Sequence, residues 1–195
     1  MSRRTKSGPR RFFGNLGAVK KVRNLIAAPF QSRGFGKADA SRKPFTAIRP
    51  VRPGDADFVC RLSAVVFRPY GDYGELLRDW LESGQALTVV AHRRDRPVGF
   101  AMCTRSSSPS AVGHEAELLA IGVEPRYQRS GVGRVLLRYI EKDCRKQGAL
   151  VLALHTAVEN HSARSLFSSS GFSPVRLKRS FYPRGQSAVL MVKVL

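Results

Sequence analysis

Hydrophobic and polar residues follow two periods along residues 45–195, and these periods predict an ordered series of strands and helices. Alternation or short apolar runs predict strands at Phe45–Arg52, Ala86–Ala91, Val98–Cys103, Glu117–Val123, Leu150–Leu154, Val175–Lys178 and Ala188–Val194. Helical spacing predicts four helices, at residues 56–67 with Asp55 as N-cap, Gly74–Glu82, Val132–Gln147 and Ser162–Ser170. The order β-α-α-β-β-β-α-β-α-β-β indicates a single α/β domain with a mixed, mostly antiparallel sheet flanked by helices.

Residues 1–44 have a different composition. They hold 12 of the 34 lysines and arginines and 1 of the 14 acidic residues, a net charge of +11 out of +20 for the chain. Gly, Ser and Pro are frequent there, which is typical of a flexible extension. Within it, a short basic amphipathic helix ending near Pro29 is predicted by apolar residues at helical spacing, namely Phe12, Leu16, Val19, Val22 and Ile26.

Three interpretations of this basic extension remain open. It is a solvated tail, or residues 1–38 are an Arg-rich mitochondrial presequence, or it is an arm that touches an anionic partner, either RNA or a membrane surface. The first and third interpretations fit a cytoplasmic protein, and the second a mitochondrial one.

Composition excludes several classes of protein. Hydrophobic residues at 43% and charged residues at 25% are typical of a globular domain. No apolar run approaches the roughly 18–20 residues that span a bilayer. The three cysteines are odd in number and widely spaced, which favours a reducing compartment over a disulfide framework. No metal is predicted, since Cys and His do not follow a ligand spacing.

The most informative segment lies between a predicted strand and the predicted helix at Val132–Gln147, and it reads Gln128, Arg129, Ser130, Gly131, Val132, Gly133. Small residues let such a loop approach a ligand, and its backbone N–H groups, with the helix N-terminus behind them, favour a phosphate. Arg129 and Arg134 supply positive charge. A Walker loop would need Gly-Lys-Ser/Thr, which is absent here, and a dinucleotide fingerprint would need glycine at Leu136. The structural alternative is a glycine turn that only starts a helix.

The loop and its surroundings resemble the acyl-CoA-binding core of the GNAT superfamily of N-acetyltransferases, because the Arg/Gln-x-x-Gly-x-Gly/Ala pattern is complete. A second GNAT signature is similar at Asn160, Ala163, Leu166-Phe167 and Gly171-Phe172. Within the superfamily, Val123–Gly133 resembles the matching run of the ribosomal-protein alanine N-acetyltransferases. Arg179–Pro183 matches a further stretch of theirs in part.

The resemblance implies acetyl-CoA as co-substrate and direct attack by an amine. It places backbone donors on the strand at Ile121 and Val123, beside the thioester carbonyl. The strand period puts Glu117, Leu119, Ile121 and Val123 on one face, so that Glu117 looks toward the thioester as a base. The family also implies a base at the position of His155. For each of these two side chains a purely structural role is the alternative: an ion pair for Glu117, a hydrogen bond for His155.

Three further positions follow from the resemblance. Asn160 would hold the pantetheine arm, or cap a helix, or both. At the position of Phe167 the family has a tyrosine that lies beside the cofactor, and its hydroxyl protonates the leaving thiolate. Phenylalanine lacks that hydroxyl. Either Tyr182 replaces this acid or the thiolate leaves without one, and the structural alternative for Tyr182 is packing in the substrate wall.

The leading hypothesis is therefore an acetyl-CoA-dependent N-acetyltransferase acting on a primary amine, with a protein N-terminus as the expected acceptor. A small amine or a lysine side chain is an alternative acceptor. An alternative of another class is a CoA- or RNA-binding GNAT domain with little catalysis. Neither the acceptor nor the oligomeric state follows from the sequence.

Overall fold

The computed structural model describes residues 46–104 and 114–195. At His114 it describes the backbone only. The predictions for the basic extension, including its amphipathic helix and its targeting or anion-binding roles, lie outside the described residues.

Within the described residues, seven strands and four α-helices follow one another in the predicted order. The strands are β1 (Ala47–Pro50), β2 (Ala86–Arg93), β3 (Arg96–Thr104), β4 (His114–Val123), β5 (Ala149–Ala157), β6 (Ser173–Lys178) and β7 (Ala188–Val194). The helices are α1 (Ala56–Val66), α2 (Gly74–Ser83), α3 (Val132–Lys146) and α4 (His161–Ser169). The predicted α/β class and the predicted order of elements are confirmed.

The strands form one mixed sheet in the order β1-β2-β3-β4-β5-β7-β6. Among the described strands, β4 and β5 alone run parallel, and every other neighbouring pair is antiparallel. A parallel pair needs a crossover connection, and α3 provides it. The crossover helix therefore starts where β4 ends, in the middle of the sheet.

Helices cover the two faces of the sheet, and each layer has its own buried cluster. On one face, α3 and α4 pack on strand residues through Leu136, Leu137, Ile140 and Phe167. On the other face, α1 and α2 contribute Phe58, Val59, Leu62 and Leu77, which pack on Val90, Phe100 and Met102. Because alternate strand residues point to opposite faces, a single strand such as β3 supplies both clusters.

Several strands are longer in the structure than the sequence pattern predicted. The connection between β2 and β3 is a two-residue turn, since both strands extend inward until only Arg94 and Asp95 remain, with φ of 47° and 62°. Such left-handed pairs match the twist of a hairpin. Strand β5 continues past Leu154 to Ala157, so that His155 lies inside the sheet.

The predicted position of Asp55 at the N-cap of the first helix is confirmed, but its side chain does not cap that helix. Asp55 occupies the N-cap position of α1 without a side-chain bond to that helix. Its carboxylate instead accepts hydrogen bonds from Arg49 at 2.6 and 2.9 Å and from the Arg52 N–H at 2.7 Å. Arg49 therefore lowers the pKa of Asp55, because its guanidinium favours the ionised carboxylate.

Candidate active site

The centre of the sheet opens where β4 and β5 part. Their parallel register runs from His114–Ala149 to Leu118–Leu154, and no later pair of these two strands is formed among the described residues. Beyond it, β4 stays paired with β3 as far as Val123, while β5 stays paired with β7 as far as Ala157. The two strands therefore diverge and leave a cleft at the start of α3.

A β-bulge at Leu119 changes which side chains face which way. Ala120 pairs with Met102 but Leu118 pairs with Cys103, so that Leu119 is an extra residue in β4. Leu119 packs toward α1 and α2, whereas Ile121 and Val123 pack toward α3. The prediction that Glu117, Leu119, Ile121 and Val123 share one face is therefore wrong, because it assumed an unbroken alternation.

The backbone of Ile121 and Val123 points into the cleft. The Glu124 N–H donates to the Val98 carbonyl at 2.9 Å, so in this antiparallel ladder Gly122 also bonds to β3. The amides of the intervening residues, Ile121 and Val123, consequently face the β5 side. The Val123 carbonyl accepts there from Gln128 Nε2 at 3.1 Å. This direction is what the expected oxyanion donors require.

The predicted phosphate loop, Gln128–Gly133, is held in a conformation that needs unusual dihedrals. Arg129 and Gly131 have φ of 57° and 90°, in the left-handed region. Ser130 donates from its hydroxyl to the Tyr127 carbonyl at 2.6 Å, and the Ser130 carbonyl accepts from Arg93 at 3.0 Å. These bonds fix the loop from both sides and leave Gly131 as the N-cap of α3.

The start of α3 presents backbone donors. The first N–H groups of a helix, here those of Gly131, Val132, Gly133 and Arg134, have no carbonyl partner within the helix. Within the described residues, no side chain caps this end. A Cβ on Gly133 would lie 3.1 Å from Leu166 Cδ2, so glycine lets α3 lie close to α4. The residues present fit a phosphate-bearing ligand such as CoA, with the helix dipole favouring its charge.

Side chains around the phosphate loop divide into charged and buried ones. Arg129 and Arg134 are exposed, and Arg134 donates to the Ser169 hydroxyl at 3.2 Å. The Val132 side chain is 1% exposed and belongs to the core, so only its backbone can contact a ligand. The loop therefore offers backbone N–H groups first and arginine charge second.

Asn160 and Phe167 occupy different environments. The Asn160 Oδ1 accepts from the Ala163 N–H at 3.1 Å, which makes Asn160 the cap of α4 and leaves its amide N–H groups for another partner. Phe167 is 3% exposed and packs on Phe172, with ring centroids 5.8 Å apart. The structure places Phe167 in the core, where little of its ring is accessible to a cofactor.

The two candidate bases are partners. His155 Nδ1 lies 2.9 Å from Glu117 Oε1, although 38 residues separate them in sequence. Both lie on the sheet face opposite α3, since Leu118 and Leu154 occupy the α3 face. The side chain of Glu117 is 28% exposed and that of His155 is 12% exposed. Thr104 adds a brace, because its hydroxyl accepts the Glu117 N–H at 2.8 Å.

An aromatic wall, consisting of Tyr70, Phe181 and Tyr182, stands beside this pair. The Phe181 ring stacks on His155 with centroids 4.6 Å apart and an interplanar angle of 14°. Tyr182 contacts Phe181 edge-on and Tyr70 at 5.1 Å. The wall joins two loops, because Gln186 Nε2 donates to the Pro69 carbonyl at 2.6 Å.

Burial keeps the tyrosines of this region protonated. It raises the pKa of Tyr73 to about 12, and it raises the pKa of Tyr182 further, with Tyr73, Tyr70 and Glu159 adding to the effect. Burial and the Glu159 charge also raise the pKa of Tyr70. These hydroxyls therefore remain hydrogen-bond donors at neutral pH.

Phe181 was not among the site residues predicted from the sequence, although it lies in the stretch Arg179–Pro183 that resembles the alanine N-acetyltransferases in part. That stretch was the available signal, because aromatic residues in a loop between two strands are candidates for a binding wall. Glu117 and His155 were predicted as separate candidates, which the structure brings together. In the described part of the chain, no cluster of three or more His, Cys, Asp and Glu side chains could hold a metal ion.

No helix within residues 46–104 and 114–195 is both long and apolar enough to span a membrane.

Comparison with known proteins gives consistent results. The [ribosomal protein bS18]-alanine N-acetyltransferase of Escherichia coli K12 is 39% identical over 69 residues, which is 35% of this chain and 47% of that enzyme. N-alpha-acetyltransferase 50 of Danio rerio is 27% identical over 139 residues, covering 71% of this chain and 80% of that protein. The matched region thus spans about half the length of the bacterial relative.

A solved structure shares the fold. Arabidopsis thaliana NAA60, crystallised with a bisubstrate analogue, superposes with a TM-score of 0.68 at 20% identity, covering 77% of this chain and 98% of that one. The model of the acetyltransferase (GNAT) family matches residues 57–172, more than half of the sequence. The chain therefore belongs to the GNAT acetyltransferase family.

Proposed function

We propose that this protein transfers the acetyl group of acetyl-CoA to the N-terminal α-amine of a protein. The observation that carries the proposal is the hydrogen-bonded pair of His155 and Glu117, set on the face opposite the phosphate loop and beside the aromatic wall. The names of the bacterial and zebrafish relatives, both N-acetyltransferases, support the choice of acceptor.

An α-amine can be deprotonated by a site that contains a single base of moderate strength. Its pKa is about 7.7–8.0, against about 10.4 for a lysine side chain, so it loses its proton more readily near neutral pH. A histidine is suited to accept that proton, since imidazole is the side chain most often used as a general base. The chemistry of the site thus favours an N-terminus over a lysine side chain.

In the proposed mechanism His155 is the base and Glu117 the positioning residue. With Glu117 ionised, its bond to Nδ1 fixes the tautomer in which Nδ1 carries the proton and Nε2 has a free lone pair. Nε2 is buried and, among the described residues, has no hydrogen-bond partner. In the proposed step the amine, or a water beside it, enters the site next to Nε2 and gives up its proton there, and Glu117 stabilises the imidazolium that results.

The other residues position the reacting groups. Acetyl-CoA supplies the acetyl group and a thiolate leaving group. The N–H groups of Ile121 and Val123 stabilise the negative charge that develops on the carbonyl oxygen, and the phosphate loop with Asn160 holds the rest of the molecule. Because Tyr182 packs against Tyr70, we assign it to the wall that orients the acceptor.

The test uses purified full-length protein, acetyl-CoA and peptides with Ala, Ser or Met N-termini, with free CoA release as the measurement. Each peptide has a control of the same sequence with a blocked N-terminus and one internal lysine, and spermidine represents small amines. We expect turnover with free N-termini and none with blocked peptides. Turnover on the blocked peptides or on spermidine alone would move the acceptor to lysine or a small amine, and no turnover at all would support a non-catalytic domain.

A further inference from the structure

Lys178, the last residue of β6, lies on the same face of the sheet as His155. It pairs with Ala188 of β7, which pairs with Ala157 of β5, and His155 pairs with Leu190 two residues further along β7. Directly opposite residues of paired strands point to the same face. The lysine thus stands two strands away from the proposed base, at the start of the loop that carries the aromatic wall.

The ammonium group of Lys178 contacts the wall itself. Its Nζ lies 5.3 Å from the centroid of the Phe181 ring, and that ring stacks on His155. The side chain is half-buried, in contrast to the exposed Arg176 and Arg179 on either side of it. Lys178 is therefore held beside the base through one shared ring.

Lys178 has no carboxylate of its own. In the described part of the chain no acidic oxygen lies within 4.0 Å of its Nζ. Burial lowers the pKa of Lys178, and the charge of Glu117 only partly opposes that effect. Glu117 bonds to His155 through Oε1, and it acts on Lys178 only from beyond ion-pair distance. A half-buried ammonium without an anionic partner is stabilised when an anion approaches.

The charges around Lys178 have mostly the same sign. Arg176, Arg179 and Arg184 are exposed on the same strand and loop, and none of them forms an ion pair within the described residues. Two acids whose charges act on this region are Glu159, which affects Tyr70 and Tyr182, and Glu117, which affects Lys178. We call Arg176, Lys178, Arg179 and Arg184 the cationic rim.

We propose that Lys178, with the cationic rim, makes the protein select acceptors that carry a carboxylate within the first residues after the reacting amine. The inference rests on the proposed function and specifies its substrate class, an acidic N-terminal segment. A carboxylate that reaches Lys178 gains a charge-assisted contact in a partly desolvated position, whereas a lysine or arginine there meets a like charge.

The experiment compares three peptides that share an N-terminal alanine and differ only at the next two residues, Asp-Asp, Ser-Ser or Lys-Lys. The measurement is kcat/KM from CoA release at low salt. We expect the Asp-Asp peptide to be preferred over the Lys-Lys peptide by about tenfold, the factor that corresponds to roughly 1.4 kcal/mol. Added salt is expected to reduce the ratio, because it screens the charges.

Variants of Lys178 separate charge from packing. Lys178→Met keeps the apolar stem and removes the charge, Lys178→Arg keeps the charge, and Lys178→Glu reverses it. We expect the preference to fall with methionine, to persist with arginine and to invert with glutamate. Lys142→Glu makes the same change of net charge at an exposed position on α3 and is expected to leave the ratio unchanged.

The outcomes distinguish this inference from the proposed function. Equal kcat/KM for the acidic and basic peptides, or a ratio that Lys178→Met leaves intact, overturns the role of Lys178 and leaves N-terminal acetylation standing. Loss of the preference in Lys142→Glu to the same extent as in Lys178→Glu also overturns it, because net charge would then suffice. Failure to acetylate these three peptides together with the Ser and Met peptides of the first test overturns both.

Discussion

The phosphate loop and the His155–Glu117 pair lie on either side of β4 and are built in different ways. The loop offers backbone N–H groups of consecutive residues to a ligand, while Arg129 is exposed and the Val132 side chain belongs to the core. The pair depends on side chains from two strands, with the Phe181 ring of a distant loop stacked on His155. The comparison teaches that the site for acetyl-CoA depends on local chain geometry. The proposed chemistry at the amine depends instead on side chains that only the tertiary structure brings together.

The largest expected effect concerns the base. His155→Ala should lower kcat/KM for the peptide by about 100-fold or more, since general base catalysis contributes on that scale. Affinity for acetyl-CoA, measured by calorimetry, should not change because the phosphate loop is untouched. Glu117→Gln should cost less, since the amide still holds the ring while losing the charge.

The contrary result for this pair is specific. If Glu117→Gln abolished turnover while His155→Ala retained it, Glu117 would be the base and His155 its positioning residue. The pH profile of kcat/KM gives a second readout. If a side chain only packs in the site, its variant should keep the decrease in kcat/KM at acidic pH that the wild type shows.

A change in the phosphate loop should act on the other substrate. Gly131→Ala forces a residue with a Cβ into φ of +90° at a position with no neighbour within 4 Å of that Cβ. We expect the KM for acetyl-CoA to rise several-fold with little change in the KM for the peptide. Gly148→Ala is the matched control, since it has φ of +77° and an equally open position at the far end of α3.

Both glycine substitutions should lower the free energy of unfolding by a similar amount, about 1–2 kcal/mol, because each forces alanine into the left-handed backbone region. An equal rise in the KM for acetyl-CoA in the two variants would show that stability, rather than the loop, controls cofactor binding.

A smaller effect tests whether Phe167 belongs to the core or to the site. Phe167→Tyr should lower the free energy of unfolding by about 1–3 kcal/mol, because it buries a hydroxyl in an apolar cluster. It should not raise kcat. A clear gain in kcat would instead place the ring edge beside the reacting atoms and would restore the family tyrosine as an acid.

The smallest effect on activity should come from Asp55, which lies away from both sites. Asp55→Asn should lower the free energy of unfolding at pH 7 by about 1–2 kcal/mol, a reduced value because the Arg49 side chain is 28% exposed. The folded-state pKa of Asp55 is depressed, so its contribution is present above the unfolded pKa of about 3.9 and is lost as the pH falls through the folded value.

Urea unfolding of both proteins as a function of pH measures this contribution. The difference between the wild type and Asp55→Asn should shrink below about pH 4. A difference that stays constant with pH would mean that Asp55 stabilises the fold through shape rather than charge.

The same contrast explains what the sequence could reveal. The phosphate loop and α3 are local, so the glycines and the amphipathic stripe predicted them, and the order of all elements followed from hydrophobic period. The bulge at Leu119 was not predictable, since one extra residue in β4 leaves no mark in composition. The bond between Glu117 and His155 was equally hidden, because it depends on a parallel register set by α3.

The divergence of β4 and β5 has a consequence for hydrogen exchange. The amides of Ile121 and Val123 lie at the centre of the sheet, yet the described strands leave them without a β5 partner. They should exchange with solvent deuterium faster than the amides of Ala120 and Gly122, which bond to β3. Acetyl-CoA would slow their exchange on binding, so that protection at two residues reports occupancy of the cleft without any turnover.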